Sequence, residues 1–163
     1  MKNPLLSLFL LIAFAASAQE NSPDPYRQFD FWLGEWEVYH TSADTLVGES
    51  RITSVLEGAA IREEYRSVHS SYRGNSLNTY NSVTGRWEQY YVDNSGLVLH
   101  LKGAGSDGRM VLLQNRPTPR GYLLERITWE QQEDGTVRQM WHQSEDHGNT
   151  WVRVFDGTYK PVD

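Results

Sequence analysis

Three segments of the sequence alternate aromatic or aliphatic side chains with a single polar one at a spacing of two residues. They are Ile61-Glu63-Tyr65, Trp87-Gln89-Tyr91 and Val137-Gln139-Trp141. Because side chains two residues apart in a β-strand point to the same face, each triplet would present a ring and a hydrogen-bonding group to one surface. If that surface faces inward, the rings supply apolar contact area and the polar groups orient a polar part of a small molecule.

Glu63 is the residue of this set that could perform acid-base chemistry. A carboxyl group removed from water has a raised pKa and can act as a general acid or base, with Tyr65 or Tyr91 as its partner. Arg126 could stabilise an oxyanion, but the pattern over residues 122–130 is ambiguous about which face Arg126 occupies. If Arg126 points inward it needs a carboxylate, and Glu63 is the obvious candidate. Such an ion pair would hold Glu63 ionised, which weakens the catalytic interpretation.

Other kinds of site find little support in the sequence. The 163 residues contain no cysteine, which excludes disulfides, thiolate zinc sites, iron–sulfur ligation and cysteine nucleophiles. The five histidines lie on separate segments without a metal-binding spacing, and the Gly-x-Ser-x-Gly pattern is absent. The net charge of -6 disfavours nucleic acid and anionic membrane surfaces as main partners. We therefore predict no metal site, no cofactor and no nucleic-acid partner.

Regularly spaced turn residues predict the elements that would position these side chains. From Gly74 to Gly148, glycines in predicted turns follow one another at intervals of 11 to 14 residues. Such spacing between short β-rich runs is typical of an antiparallel meander. We predict an all-β fold, an up-and-down antiparallel β-barrel of about ten strands, with a short helical turn within residues 24–33. Closure removes exposed strand edges, and a slightly wide barrel can hold one ligand.

The first 18 residues have the features of a signal peptide. Lys2 precedes an apolar run over residues 5–16, and Ala16-Ser17-Ala18 has the small-x-small form that signal peptidase accepts. The run is short for a transmembrane helix, which needs about 20 apolar residues. We predict cleavage after Ala18, export to the periplasm or the medium, and no stable membrane insertion after cleavage. A flexible leader over residues 19–25 and a single barrel domain over residues 26–163 would follow.

Gly34-Glu35-Trp36, directly after the predicted helical turn, is similar to the Gly-x-Trp opening of lipocalins and other calycins. In that superfamily an arginine late in the barrel packs across the tryptophan, and Arg153 is in roughly the matching place. Four longer stretches resemble a bacterial family of exported lipocalin-like β-barrels of unknown function. They are FDFWLGEWEV (29–38), QYYVDNSG (89–96), RITW (126–129) and FDGTY (155–159). The resemblance implies a lipocalin-like barrel with structural roles for Gly34, Trp36 and Arg153, and it implies no activity or ligand.

Residues 144–151, SEDHGNTW, match the Asp-box pattern Ser-x-Asp-x-Gly-x-Thr-Trp that is familiar from sialidase propellers. In such a turn Asp146 can accept hydrogen bonds from backbone amides, Gly148 can take a positive φ, and Trp151 packs under the hairpin. Sialidases carry one box per blade, away from the catalytic site. A single box in a chain of this length therefore predicts a structural hairpin clamp that includes Ser144, and not a sialidase.

Three functional hypotheses follow from these observations. The favoured one is an exported protein that binds a small amphiphilic or aromatic molecule in the barrel cavity. The first alternative is a cofactor-free isomerase, cyclase or lyase that uses Glu63 and a tyrosine such as Tyr91. The second is a structural or interaction module whose barrel is filled by side chains. The residues expected to line the cavity are Glu63, Tyr65, Trp87, Gln89, Tyr91, Arg126, Gln139 and Trp141.

Overall fold

Ten antiparallel strands form a closed barrel in the computed structural model, which describes residues 24–162. The strands are β1 (Gly34–His40), β2 (Thr45–Val55), β3 (Ala60–Ser67), β4 (Arg73–Asn81), β5 (Arg86–Asp93), β6 (Val98–Ser106), β7 (Arg109–Thr118), β8 (Gly121–Gln131), β9 (Val137–Ser144) and β10 (Val152–Pro161). Each strand pairs with its neighbours in sequence, and β10 returns to pair with β1. The predicted fold class, an up-and-down antiparallel barrel of about ten strands, is confirmed.

Two 3-10 turns precede β1, at Pro25–Arg27 and Asp30–Trp32. The first is capped by Asp24, whose Oδ1 accepts a hydrogen bond from the backbone amide of Tyr26 at 3.0 Å. The short helical segment predicted before the barrel is therefore present, as two separate turns. A further 3-10 turn, Leu56–Gly58, connects β2 to β3. None of the described helical turns has the length and apolar character that a bilayer-crossing helix requires.

The predicted signal peptide and residues 19–23 of the predicted leader lie outside the described residues. At the end of that leader, Pro25 already belongs to the fold, because its carbonyl accepts a hydrogen bond from Trp87 Nε1 at 3.1 Å.

Burial alternates along the strands and defines the inner face of the barrel. In β3, Ile61 and Glu63 are buried whereas Arg62, Glu64 and Arg66 are exposed, as the sequence pattern predicted. The charged residues of this strand form ion pairs on the outer surface, with one another or with β2. The inner set of β3 therefore carries a carboxyl group into the barrel interior.

One end of the barrel is filled by aromatic rings that we call the aromatic plug, formed by Phe29, Trp32, Trp36, Trp87 and Trp129. Phe29 stacks on Trp32 with ring centroids 5.0 Å apart, and Trp129 lies within 5.3 Å of both rings. Trp36 Nε1 donates a hydrogen bond to the Trp32 carbonyl at 3.0 Å. All five side chains are buried. The N-terminal turns thus close this end, and a ligand could be held only towards the other.

At the opposite end, side chains replace part of the strand ladder. β6 and β7 pair between Lys102 and Ser106, and beyond this the His100 amide donates to Gln114 Oε1 at 2.7 Å instead. Gln114 Nε2 in turn donates to Glu125, a fully buried carboxylate that also accepts from Arg116 Nε at 2.8 Å. A polar cluster therefore completes the wall where β6 and β7 separate.

Candidate functional site

A cavity of about 130 Å³ lies in the half of the barrel opposite the aromatic plug. Its buried floor is made of Glu63, Gln89, Leu99, Ile127 and Tyr159. Its half-buried rim is made of Tyr65, Tyr72, Tyr91, Gln139, Trp141 and Phe155. For comparison, an engineered apolar cavity of about 150 Å³ is sufficient to hold benzene. The cavity therefore has the size of a one-ring molecule.

Most of the residues predicted to line a cavity do so. The structure brings together Glu63, Tyr65, Gln89, Tyr91, Gln139 and Trp141. Two predicted residues, Trp87 and Arg126, do not line the cavity. Trp87 faces inward but belongs to the aromatic plug, where its Nε1 donates to Pro25 O and Gln28 Oε1, both at 3.1 Å. Its position at the start of β5 places it at the filled end of the barrel.

Arg126 was predicted to line the cavity, with Glu63 as its partner if it pointed inward, and this placement is wrong. Ile127 and Trp129 of β8 are buried inside the barrel, so Arg126, next to Ile127, lies on the opposite, outer face of the strand. There its guanidinium packs over the ring of Trp151, 4.5 Å from the ring centroid. The bulk of Trp129 decides which face of β8 points inward. The cavity consequently contains a carboxyl group that Arg126 does not neutralise.

Five lining residues were not predicted: Tyr72, Leu99, Ile127, Phe155 and Tyr159. The alternation used for the other strands also applies to β10 and would have indicated Phe155 and Tyr159. Tyr72 precedes β4 in a connection without periodicity, so no sequence pattern indicates it.

Glu63 is held by two hydroxyl groups on the neighbouring strands. Ser50 Oγ of β2 donates to Oε1 and Ser76 Oγ of β4 donates to Oε2, both at 3.1 Å. Burial raises the pKa of Glu63 to about 7, and the hydrogen bonds from the two serines lower it only in part. No lysine, arginine or histidine of the described chain lines the cavity. Glu63 therefore changes its charge near neutral pH.

Amide side chains extend this network across the floor. Asn78 Nδ2 donates to Ser76 Oγ at 3.0 Å, and Gln89 Nε2 donates to Asn78 Oδ1 at 2.7 Å. The chain of hydrogen bonds orients Ser76 and so fixes the Glu63 carboxyl group. Part of the Gln89 amide is consequently engaged by the protein itself.

Two further donors of the cavity, the Tyr159 hydroxyl and the Trp141 indole N–H, differ in whether the protein supplies them with an acceptor. The Tyr159 hydroxyl donates to Gln139 Oε1 at 2.5 Å. Trp141 Nε1 is buried and has no hydrogen-bond partner among residues 24–162. A buried indole N–H usually finds an acceptor, so an acceptor supplied by a bound molecule would satisfy Trp141.

The tyrosines of the rim form a hydroxyl chain. Tyr72 donates to Asp93 Oδ2 at 2.9 Å, and Tyr91 therefore donates its own proton to the Tyr72 oxygen at 2.5 Å. Burial raises the pKa of Tyr65 to about 12, and burial together with the bond to Tyr72 raises the pKa of Tyr91 well above its usual range. These hydroxyls are neutral at physiological pH and act as hydrogen-bonding groups.

Two glycines allow the rim tyrosines to lie flat against the wall. A Cβ atom added at Gly48 would overlap the Tyr65 hydroxyl, and one added at Gly74 would overlap the Tyr91 hydroxyl. Both glycines are buried and lie on strands next to the tyrosine that covers them. The close approach of ring to backbone requires glycine at both positions.

The residues with predicted structural roles are partly placed as expected. Gly34 packs against the indole of Trp36, since a Cβ on Gly34 would lie 3.4 Å from that ring. Arg153 does not cross Trp36. It pairs with Asp156, which also binds Arg138 at 2.8 Å. Arg153 is at the start of β10, whereas Trp36 pairs with Pro161 at its end, so the expected contact is wrong.

The turn at residues 144–151 is a hydrogen-bonded clamp centred on Asp146. Asp146 Oδ1 accepts from Thr150 N at 2.8 Å and from Ser144 Oγ at 2.7 Å. Gly148 has a φ of 89° and donates its amide to Ser144 Oγ at 2.8 Å, while Trp151 Nε1 donates to the Gly148 carbonyl at 3.0 Å. Hydrogen bonds from Thr150 lower the pKa of Asp146 to about 2.

Within residues 24–162, no group of three or more histidine or carboxylate side chains is placed to hold a metal ion. No protein-family model and no curated protein matches the sequence. The geometry of the cavity therefore carries the functional argument.

Proposed function

We propose that the protein binds a small amphiphilic or aromatic molecule in the cavity at the open half of the barrel. The observation that carries the proposal is the cavity itself, about 130 Å³ in volume, with an aromatic rim and a hydrogen-bonding floor. Binding sites for small molecules combine such apolar walls with a few placed polar groups. The volume limits the bound group to about one ring.

Three expectations from the sequence belong to this proposal. The chain is exported after cleavage behind Ala18, it is a member of the lipocalin-like barrels that it resembles, and the Asp146 turn is an Asp-box hairpin. The hydrogen bonds within that turn support the last of these. A binding protein in an exported location would meet its ligand outside the cytoplasm.

Phenol is a suitable first probe, because it combines one ring with one hydrogen-bonding group. We expect wild-type protein to bind phenol with a Kd below about 1 mM, which corresponds to only about -4 kcal/mol and is well within reach of a small ligand. Isothermal titration calorimetry measures the affinity. In a two-dimensional NMR spectrum, the indole N–H of Trp141 should be among the signals that shift.

A cavity-filling variant separates this site from surface binding. Leu99→Phe adds bulk to the floor and is expected to weaken phenol binding at least about tenfold, which is within the range of a small change in pocket volume. The matched control is Val98→Phe on the outer face of the same strand, where the side chain is exposed. Undiminished binding to a folded Leu99→Phe variant, or no shift at Trp141, would contradict the proposal.

The acidity of Glu63 favours a second candidate function. A buried carboxyl group whose pKa is about 7 can take up and release a proton near neutral pH. It could remove a proton from the carbon beside a carbonyl and return it elsewhere. The Tyr91 or Tyr159 hydroxyl, each of which donates to a protein acceptor in the structure, would turn to donate a hydrogen bond to the enolate oxygen. The protein would then be a cofactor-free isomerase on the same scaffold.

Conversion of 3-cyclohexenone to the conjugated 2-cyclohexenone tests this candidate by ultraviolet absorbance. Glu63 would take a proton from C2, and the dienolate would be protonated at C4. We expect the rate with wild-type protein to rise with pH through about 7, as Glu63 ionises. Glu63→Gln should reduce the rate to that of buffer while phenol binding persists. Equal rates in both proteins would rule out this role.

A further inference from the structure

Aromatic rings surround Glu63, the one carboxylic acid among the described residues that line the cavity. Six of the residues that line the cavity are aromatic: Tyr65, Tyr72, Tyr91, Trp141, Phe155 and Tyr159. The faces of such rings carry partial negative charge and attract cations, most strongly where water is excluded. Rings and carboxylate thus present the same electrostatic sign to whatever occupies the cavity.

The second buried carboxylate of the barrel, Glu125, has a positively charged partner, whereas Glu63 has none among the described residues that line the cavity. Glu125 is fully buried and binds Arg116 through two hydrogen bonds, at 2.8 Å and 3.3 Å. Among residues 24–162, the donors to Glu63 are the uncharged hydroxyls of Ser50 and Ser76 at 3.1 Å, with the Tyr159 hydroxyl also close enough to contribute. A buried carboxylate without a cation is costly, so its ionised form is stabilised by any cation that enters the cavity.

We propose that the cavity recognises the ammonium head of a small organic cation, which lies against the aromatic rings with its charge beside the Glu63 carboxylate. This inference rests on the proposed binding function and names its ligand class. The net charge of -6 favours the approach of cations over anions. The cavity volume suits a head group such as trimethylammonium, which is similar in size to one ring.

Affinity for such a cation should depend on pH through Glu63. The groups that face the Glu63 carboxyl are the serine hydroxyls of β2 and β4 and the tyrosine hydroxyls of the cavity. Burial raises the pKa of these tyrosines, so they do not ionise between pH 6 and 8. With a pKa of about 7, Glu63 is mostly ionised at pH 8 and mostly protonated at pH 6.

Choline and its uncharged isostere 3,3-dimethylbutan-1-ol provide a matched pair of probes. They have nearly the same shape, and the charge of choline does not depend on pH. Calorimetric titration of wild-type protein at pH 8 should give at least about tenfold tighter binding of choline than of the alcohol, the factor expected of a desolvated cation–π contact. At pH 6 the choline affinity should fall about tenfold, with the ionised fraction of Glu63.

Substitution of Glu63 identifies the group responsible. Glu63→Gln should weaken choline binding about tenfold and leave binding of the alcohol within about twofold. The matched control is Glu64→Gln, which removes an exposed carboxylate one residue further along β3 and should change neither affinity.

The probes also separate this inference from the function on which it rests. If phenol binds but choline binds no more tightly than the alcohol, cation recognition is wrong and the binding function stands. If neither phenol nor choline nor the alcohol binds, both proposals fail. Choline binding that is unchanged in Glu63→Gln would likewise overturn the assigned role of the carboxylate.

Discussion

Glu63→Gln is expected to be more stable than the wild-type protein at pH 9, by about 3 kcal/mol, with most of that difference gone at pH 5. The pKa of Glu63 is about 7 in the folded protein and 4.5 for an ordinary glutamate. A raised folded-state pKa means that the folded state binds the proton more tightly than the unfolded chain. The contribution of Glu63 to wild-type stability should therefore be full below about pH 4.5 and be lost as the pH rises to about 7.

Glutamine removes this decline because it is isosteric and carries no charge. The hydroxyls of Ser50 and Ser76 can accept as well as donate, so both can rotate to pair with the amide. Urea unfolding of both proteins at pH 5, 7 and 9 measures the difference in unfolding free energy. Glu64→Gln is again the control, because it is exposed and should follow the wild-type curve. Parallel curves for wild type and Glu63→Gln would show that Glu63 has an ordinary acidity.

Trp32→Ala should lower the free energy of unfolding by about 3 to 5 kcal/mol, the usual cost of removing a large side chain from a packed core. Trp32 is fully buried at the centre of the aromatic plug, with Phe29 stacked on it and Trp129 beside it. Its removal leaves a cavity that the rigid barrel wall cannot fill by collapse. Urea unfolding at pH 6 measures the loss.

Trp32→Phe is the informative control for this prediction. The Trp32 indole N–H has no hydrogen-bond partner among the described residues, so phenylalanine loses volume but no hydrogen bond. The Trp32 carbonyl that binds Trp36 is retained in both variants. Phenylalanine should therefore cost clearly less than alanine. An alanine variant as stable as wild type would mean that the plug does not hold the N-terminal turns.

The sequence predicted which residues face the barrel interior, but it did not predict at which level along the barrel axis each of them lies. Alternation correctly assigned Glu63, Gln89 and Gln139 to the interior, because the period of two is a property of any strand. It also turned Trp87 inward, but that residue belongs to the aromatic plug. The level along the axis depends on the strand register and on which end of the barrel the N-terminal segment closes. Both are set by contacts between residues that are distant in the sequence.

The error at Arg126 has a different physical origin. Residues 122–130 contain large side chains on both faces, so the pattern alone could not choose between them. The choice follows from packing, since Trp129 fits beside Phe29 and Trp32 in the plug. The prediction for Arg153 was wrong for a third reason. Strand β10 is ten residues long, and Arg153 lies near its start whereas Trp36 pairs with its end, so a late position in the sequence did not bring the two side chains together.

Two glycines that do not themselves line the cavity help to set the size of ligand that it can accept. Tyr65 and Tyr91 can lie against the wall only because Gly48 and Gly74 carry no side chain. An alanine at either position would force a ring away from the wall and change the shape of the space inside. A related barrel could thus acquire a different ligand while every lining residue stays the same, and a comparison of lining residues alone would miss the change.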